Sequence, residues 1–284
     1  MRLFLLPTSL STGGLLLAAL FLGACDGGQG DRPSTSDGDE LGSCGRLAKT
    51  IGPATWLEPD KAPKVCAGRP PDRTVCLSGL TVVAIDRFDE IGDGSTRGNY
   101  YLEDTSDDPP PFAGVLIYRP AFSPPDLRLV EGDVVDFFGS LQEFGGPTST
   151  SPTGFNYCRT LPELGGALTF RFDNHFAQPP KVIPIEELKS YETGRPYLGM
   201  LVKLLNPQLN PDGGKDSKGR YTAAFNVGAI ADVADVPQVS NELYDIQAEG
   251  PPLVGNTKFK SITGIVTYFF GFRIAPRSAA DIEL

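Results

Sequence analysis

The chain has 284 residues, with 25 basic against 35 acidic side chains and a formal net charge of −10. An acidic body of this kind does not favour the nonspecific phosphate binding that basic patches supply. Its 33 Gly and 26 Pro residues are scattered as turn punctuation, which points to short strands joined by many turns, and the length suffices for one large domain or two small ones.

Arg2 is the only charged residue before Asp26, and the apolar run from Leu15 to Leu22 follows it. A positive end, a short apolar run and a small-residue exit describe a secretory signal over residues 1–24. The run is too short to cross a bilayer as a helix, which takes roughly 20 apolar residues. The exit, Leu22-Gly23-Ala24-Cys25, resembles the bacterial lipobox. That resemblance implies diacylation of the Cys25 thiol, cleavage before it, and acylation of the new amine by a fatty acid such as palmitate. A single acyl chain anchors only marginally, at about 0.8 kcal/mol per buried methylene, so a stable anchor takes more than one. The expected product is a membrane-anchored lipoprotein of the cell envelope, periplasm-facing or at the cell surface, with inner and outer membrane both open.

With Cys25 lipidated, Cys44, Cys66, Cys76 and Cys158 remain. An even set in an exported protein reads as two disulfides with three possible connectivities. Cys76–Cys158 with Cys44–Cys66 is preferred, because it ties each half of the N-terminal region separately. Zinc is disfavoured: no CxxC pair exists, and the one His is far from these cysteines in sequence. No metal and no cofactor is expected.

After the signal, residues 25–43 hold almost no large apolar side chain and read as a flexible tether. Residues 44–74, with the only Trp, Trp56, read as a disulfide-pinned lead-in. Strands are predicted at Cys76–Ile85, Asn99–Asp104, Gly114–Tyr118 and from Glu131 to Gly146, with Gly139 marking a bulge or bend. The second half repeats the scheme. A strand over Tyr197–Leu204 is expected to form a hairpin with Arg220–Phe225, and a last β-rich stretch runs from Phe259 to Pro276. A short helix is expected between Ile183 and Ser190. Gly139, Phe144 and Gly145 are echoed by Gly264, Phe269 and Gly271, an internal repeat at a spacing of about 125 residues. The fold class expected is all-β, with one OB-like five-stranded barrel over 75–180 and a second over 181–284.

Three stretches carry a family resemblance. Tyr100-Tyr101-Leu102-Glu103-Asp104, the segment from Glu131-Gly132-Asp133-Val134 through Gly139 to Glu143-Phe144-Gly145-Gly146, and Tyr197-Leu198-Gly199-Met200-Leu201-Val202 resemble the OB-fold modules of bacterial extracellular nucleases of the endonuclease/exonuclease/phosphatase group. Glu103 stands where that family usually has Gln, and Leu198 where it has Glu. In those nucleases a catalytic domain follows the barrels, whereas this sequence stops at Leu284 just after the second. The resemblance therefore implies a fold and not an activity.

The candidate chemistry is sparse, and no catalytic residue is assigned. His175, in Asp173-Asn174-His175, is read as part of a surface turn, since successive strand residues point to opposite faces and do not converge on one ion. The loops carrying Asp104, Asp107 and Asp108, and Asn210, Asp212 and Asp216, lack EF-hand spacing and read as solvated turns rather than calcium sites. OB barrels take ligands on the face of their second and third strands, often by stacking on rings. Tyr101, pointing away from the interior if Leu102 points inward, is the candidate platform with Tyr118 and the neighbouring Arg119. Nearby carboxylates suit a glycan or a peptide better than a phosphate backbone. The expected function is a non-catalytic binding or scaffolding module for protein or glycan, with a nucleic-acid-binding accessory and a hydrolase as the competing classes.

Overall fold

Val, Ile and Leu recurring along Arg73–Ile85 make a thirteen-residue strand, β1, the spine of the first half. The computed structural model describes residues 73–144, 161–216, 219–228 and 236–284. The signal segment with Cys25, the tether, most of the lead-in, and Cys44, Cys66 and Cys158 lie outside the described residues. Among the described residues, no helix is long and apolar enough to cross a membrane.

β1 pairs antiparallel with β2 (Tyr100–Asp104) on one side and with β5 (Asp133–Phe144) on the other. β2 continues to β3 (Gly114–Ile117), and β5 to β6 (Leu161–His175). β3 and β6 then run parallel through Leu116–Glu163 and Ile117–Leu164, which closes a five-stranded barrel. β4 (Ala121–Ser123) adds to the side of β6. A three-strand meander that returns through two further strands is consistent with an OB-like barrel. Leu77, Leu80, Leu102, Val115, Phe137 and Leu168 fill the interior.

Gly139 has a different role from the bend expected of it. The β5–β6 register is unbroken from Val135 to Phe144, and Gly139 stands opposite Gly166. A Cβ on Gly139 would sit 2.1 Å from the Gly165 carbonyl oxygen, so glycine here permits two backbones to approach. The bend lies instead in β1, where register shifts between Leu77 and Leu80 and the Gly79 N–H donates to Asp136 Oδ1 at 2.8 Å. β6 itself is a strand of fifteen residues that sequence patterning does not reveal. His175 ends that strand opposite Asp133, rather than sitting in a turn.

The second half is built from β7 (Lys181–Ile183), β8 (Leu201–Leu205), β9 (Gly214–Lys215), β10 (Tyr221–Ala224), β11 (Gln238–Ser240), β12 (Ser261–Tyr268), β13 (Phe272–Ala275) and β14 (Ile282–Glu283). β8 pairs with β12, β12 with β13, β13 runs parallel to β11, and β11 pairs with β10. That is the strand order of the first barrel. The remaining seam is reduced to the Leu209–Phe225 bridge, flanked by Asn210 N–H donating to Ala224 O at 2.8 Å and Asn226 N–H to Gln208 O at 2.7 Å. The expected hairpin of 197–204 with 220–225 survives only as this seam, because β8 lies between β7 and β12. Its strand also starts late. Arg195–Tyr197 is a helical turn containing Pro196, and it follows a turn over Tyr191–Gly194 capped by the Ser190 hydroxyl. The helix expected before it is a 3-10 turn at Ile185–Lys189.

The halves meet on the outer face of β2 and β3. Val83, Ala84, Tyr101 and Leu116 point away from the first interior and join the second sheet's core, with Met200, Val266 and Phe272. Gly114 and Gly199 allow the approach: a Cβ on Gly114 would lie 2.4 Å from the Met200 nitrogen, and one on Gly199 2.5 Å from the Val115 nitrogen. Arg277, held by Asp281, donates to Val83 O at 3.1 Å. Glu103 is fully buried at this junction, accepting from Leu201 N–H at 3.3 Å. Burial pushes its carboxyl up to about 8 from the ordinary 4.5. Ionising it therefore opposes folding: the cost is absent below about pH 4.5, grows as pH rises towards 8, and is constant above. Glu103→Gln keeps an acceptor for Leu201 and has no charge to bury. In urea unfolding it is expected to match the wild type near pH 4.5 and to exceed it above pH 8 by several kcal/mol, at about 1.4 kcal/mol per pKa unit.

Candidate functional site: a cleft where the two halves meet

The connection from β1 to β2, residues 86–99, is polar and Gly-containing, and one side chain shapes its tip. The Asp89 carboxylate accepts N–H bonds from Gly92, Asp93 and Gly94 at 2.8, 3.1 and 2.6 Å, and these donors hold its carboxyl below the ordinary range. The loop so formed presents Glu90 and Arg97 to Arg220, the residue before β10. Glu90 pairs with Arg97 and, at 3.0 Å, with Arg220 Nε. Arg220 also reaches Asp216 at 3.4 Å. Its guanidinium lies over the Phe269 ring, 4.4 Å from the centroid, and Arg273 approaches the same ring at 5.4 Å. Asn241 donates to the Glu90 carbonyl at 3.3 Å and accepts from Tyr221 N–H at 2.9 Å.

These groups wall a cleft of about 620 Å³, in which the rings of Phe88, Tyr118, Phe144 and Phe269 alternate with Glu90, Arg97, Asn99, Arg119, Glu163, Arg220 and Glu242. Glu242 is fixed by two hydroxyls: Tyr101 donates to Oε1 at 3.0 Å and Thr267 to Oε2 at 2.7 Å. Burial, and next the Glu242 charge, raises the Glu90 carboxyl. Burial pulls Arg97 downward, but Glu242 and Glu90 outweigh it and hold the guanidinium above its ordinary value. Asn99 Oδ1 and Asp86 Oδ1 are buried in this region and have no partner among the described residues. Burial and the neighbouring Glu242 push Asp86 up to about 7.

Of the three residues expected to form a platform, two meet in the cleft. Tyr118 is 47% exposed, and the Arg119 guanidinium lies 5.9 Å from its ring centroid while Arg119 Nε donates to Arg97 O at 3.1 Å. Tyr101 does point out of the first barrel, as strand alternation requires, but it is 0% exposed. The second sheet covers it, so it supports Glu242 from beneath and offers no ring to a ligand. Burial, then the Glu242 charge, raises its phenol well above the ordinary value. The acidic loops are engaged locally: Asp108 with Lys181, Asp212 with Gly255 N–H, and Asp216 with Arg220. Among the described residues no group of three or more His, Cys, Asp or Glu side chains is placed to hold a metal ion. His175 stands 3.9 Å from Asp133 through Nδ1 and does not line the cleft.

Sequence reasoning missed Glu90, Arg97, Arg220, Glu242 and Phe269. The polar loop after β1 was the one available signal, because such loops border the ligand face of OB-like barrels. Comparison with protein-family models, curated proteins and solved structures yields no match.

The pairing makes a stability prediction. The Glu90 and Arg220 side chains are only 7% and 9% exposed, and breaking one partner of a buried pair strands the other. Glu90→Gln leaves both Arg97 and Arg220 without their shared carboxylate. It is expected to lose about 3 kcal/mol in equilibrium urea unfolding, with the loss little changed by added salt, since buried pairs are weakly screened.

Proposed function

We propose that the protein is a non-catalytic, lipid-anchored binding module of the bacterial cell envelope, taking a protein or glycan ligand in the cleft beside Tyr118. The observation that carries this reading is the cleft itself. It combines exposed rings with charged groups already paired and oriented, at the end of the first barrel where the loop after its first strand joins the ends of β5 and β6 at Phe144 and Leu161. Preorganised polar groups among aromatic walls describe a recognition site. The Glu90–Arg97–Arg220 and Glu242–Tyr101–Thr267 arrangements commit their carboxylates to holding the walls. The one His, the residue type most used for proton transfer near neutral pH, lies outside the lining. Kinship with the non-catalytic barrels of extracellular nucleases is part of the proposal, supported by the quoted stretches and by the closed five-stranded order of β1, β2, β3, β5 and β6. The nucleic-acid reading is disfavoured by the acidic balance of the chain.

Two measurements test this. Metabolic labelling with a palmitate analogue should mark the wild type and leave Cys25→Ser unmarked and released from the membrane fraction; label retained by the variant would refute the anchor. A photoreactive benzoylphenylalanine introduced at position 118 in intact cells should cross-link an envelope component, and the same group at position 138 should not. Equal capture at both positions, or none, would refute the cleft as the binding site.

A further inference from the structure

We propose that the ligand of this cleft is a neutral oligosaccharide, an inference that rests on reading the cleft as a binding site. The charges argue first. The lining carries four acids, Glu90, Asp93, Glu163 and Glu242, against three arginines, Arg97, Arg119 and Arg220, so the cavity has no positive excess to draw a phosphate or other polyanion. Nor is it an open anionic site for a cation, because Glu90 is shared between two arginines and Glu242 is engaged by two hydroxyls.

What the walls offer is a set of fixed, planar donors and acceptors side by side. Vicinal sugar hydroxyls both donate and accept, so they match guanidinium and carboxylate groups that are already oriented by each other. Ring faces complete the match. Tyr118 is 47% and Phe144 38% exposed, and an aromatic ring gives the apolar C–H face of a sugar a surface to cover.

The cleft of about 620 Å³ falls within the roughly 300–1,000 Å³ typical of small-ligand sites, which suits a short stretch of a chain rather than an extended polymer face.

The full-length lipoprotein, purified in a detergent without a sugar headgroup, is titrated calorimetrically with neutral hexasaccharides. The set comprises α- and β-linked glucose, β-linked N-acetylglucosamine, mannose and galactose, with a thymidine dodecamer as the charged comparison. At least one hexasaccharide is expected to bind, with an affinity unchanged between low salt and about 0.5 M salt because no counterions are released. Tyr118→Ala is expected to weaken that binding about tenfold. Phe138→Ala removes an exposed ring outside the cleft and should leave it unaltered. Tyr118 is exposed, so its substitution is expected to leave the fold, and with it the test, intact.

Failure of every hexasaccharide overturns the proposal, as does sugar binding indifferent to Tyr118→Ala, or dodecamer binding that falls with salt. If position 118 still captures an envelope component and protease degrades the captured material, the binding module stands and the sugar falls. If neither capture nor titration gives a signal, both readings fall.

Discussion

The outer face of β2 is the surface on which the rest of this structure depends. Tyr101 and Glu103 alternate with the inward Leu102, so a first barrel standing alone would leave both in water. Instead both are fully buried by the second sheet. Covering a large aromatic side chain stabilises by about 1.5–3 kcal/mol, but the same contact buries a phenol and a carboxyl. Their polar ends are met in part: the phenol by Glu242, and one carboxyl oxygen by Leu201 N–H. The other Glu103 oxygen has no partner among the described residues, and burial disfavours its charged form. The junction is therefore specific in position and sensitive to protonation.

That junction dictates where a ligand has access. On an isolated OB-like barrel the faces of the second and third strands are open. Here Tyr101 and Leu116 are part of the second core, and only the rim remains. The buried ion pairs around Glu90 belong to this geometry. Desolvating them is expensive, and such pairs are weak evidence for stability. Their effect is positional: Glu90 belongs to the first half and Arg220 to the second, so the pair fixes one wall of the cleft against the other.

Much of the first half was legible in the sequence. Period-two patterning located β1, β2, β3 and β5, and strand parity placed Leu102 and Tyr100 towards the interior, where both pack. β6 was hidden because Pro162, Gly165 and Gly166 look like turn residues, yet they pair in an unbroken ladder with Glu143, Ser140 and Gly139. Long-range pairing overrode local propensity there. Parity also said that Tyr101 faces outward, and it does, but no local signal announces that another sheet will occupy that face. The cleft was less legible for the same reason. Glu90 and Arg220 are separated by 130 positions, and nothing in either neighbourhood marks them as partners, whereas Tyr118 and Arg119 are adjacent in the chain and could be paired by inspection.

The repeat explains why both halves line this cleft. Gly139 and Gly264 fall on β5 and β12, which hold the same place in the two strand orders. Equivalent connections follow. Residues 86–99 after β1 and the approach to β10 with Asp216 and Arg220 are the first-to-second-strand links of their respective halves. Phe144 with Leu161, and Phe269 at the β12–β13 turn, flank the fourth-to-fifth-strand links. All of these elements except Asp216 line the same cavity, and Asp216 braces Arg220 within it. Each half thus turns its first-to-second-strand link, and the strand ends that flank its fourth-to-fifth-strand link, towards the other. A strand order used twice gives two copies of the loops that border a ligand face, and packing on β2 brings the copies together instead of leaving two shallow sites. The weak Leu209–Phe225 seam fits this arrangement: the second half has given up most of its own first-to-second-strand pairing, and the loop so released carries Arg220 to the shared wall.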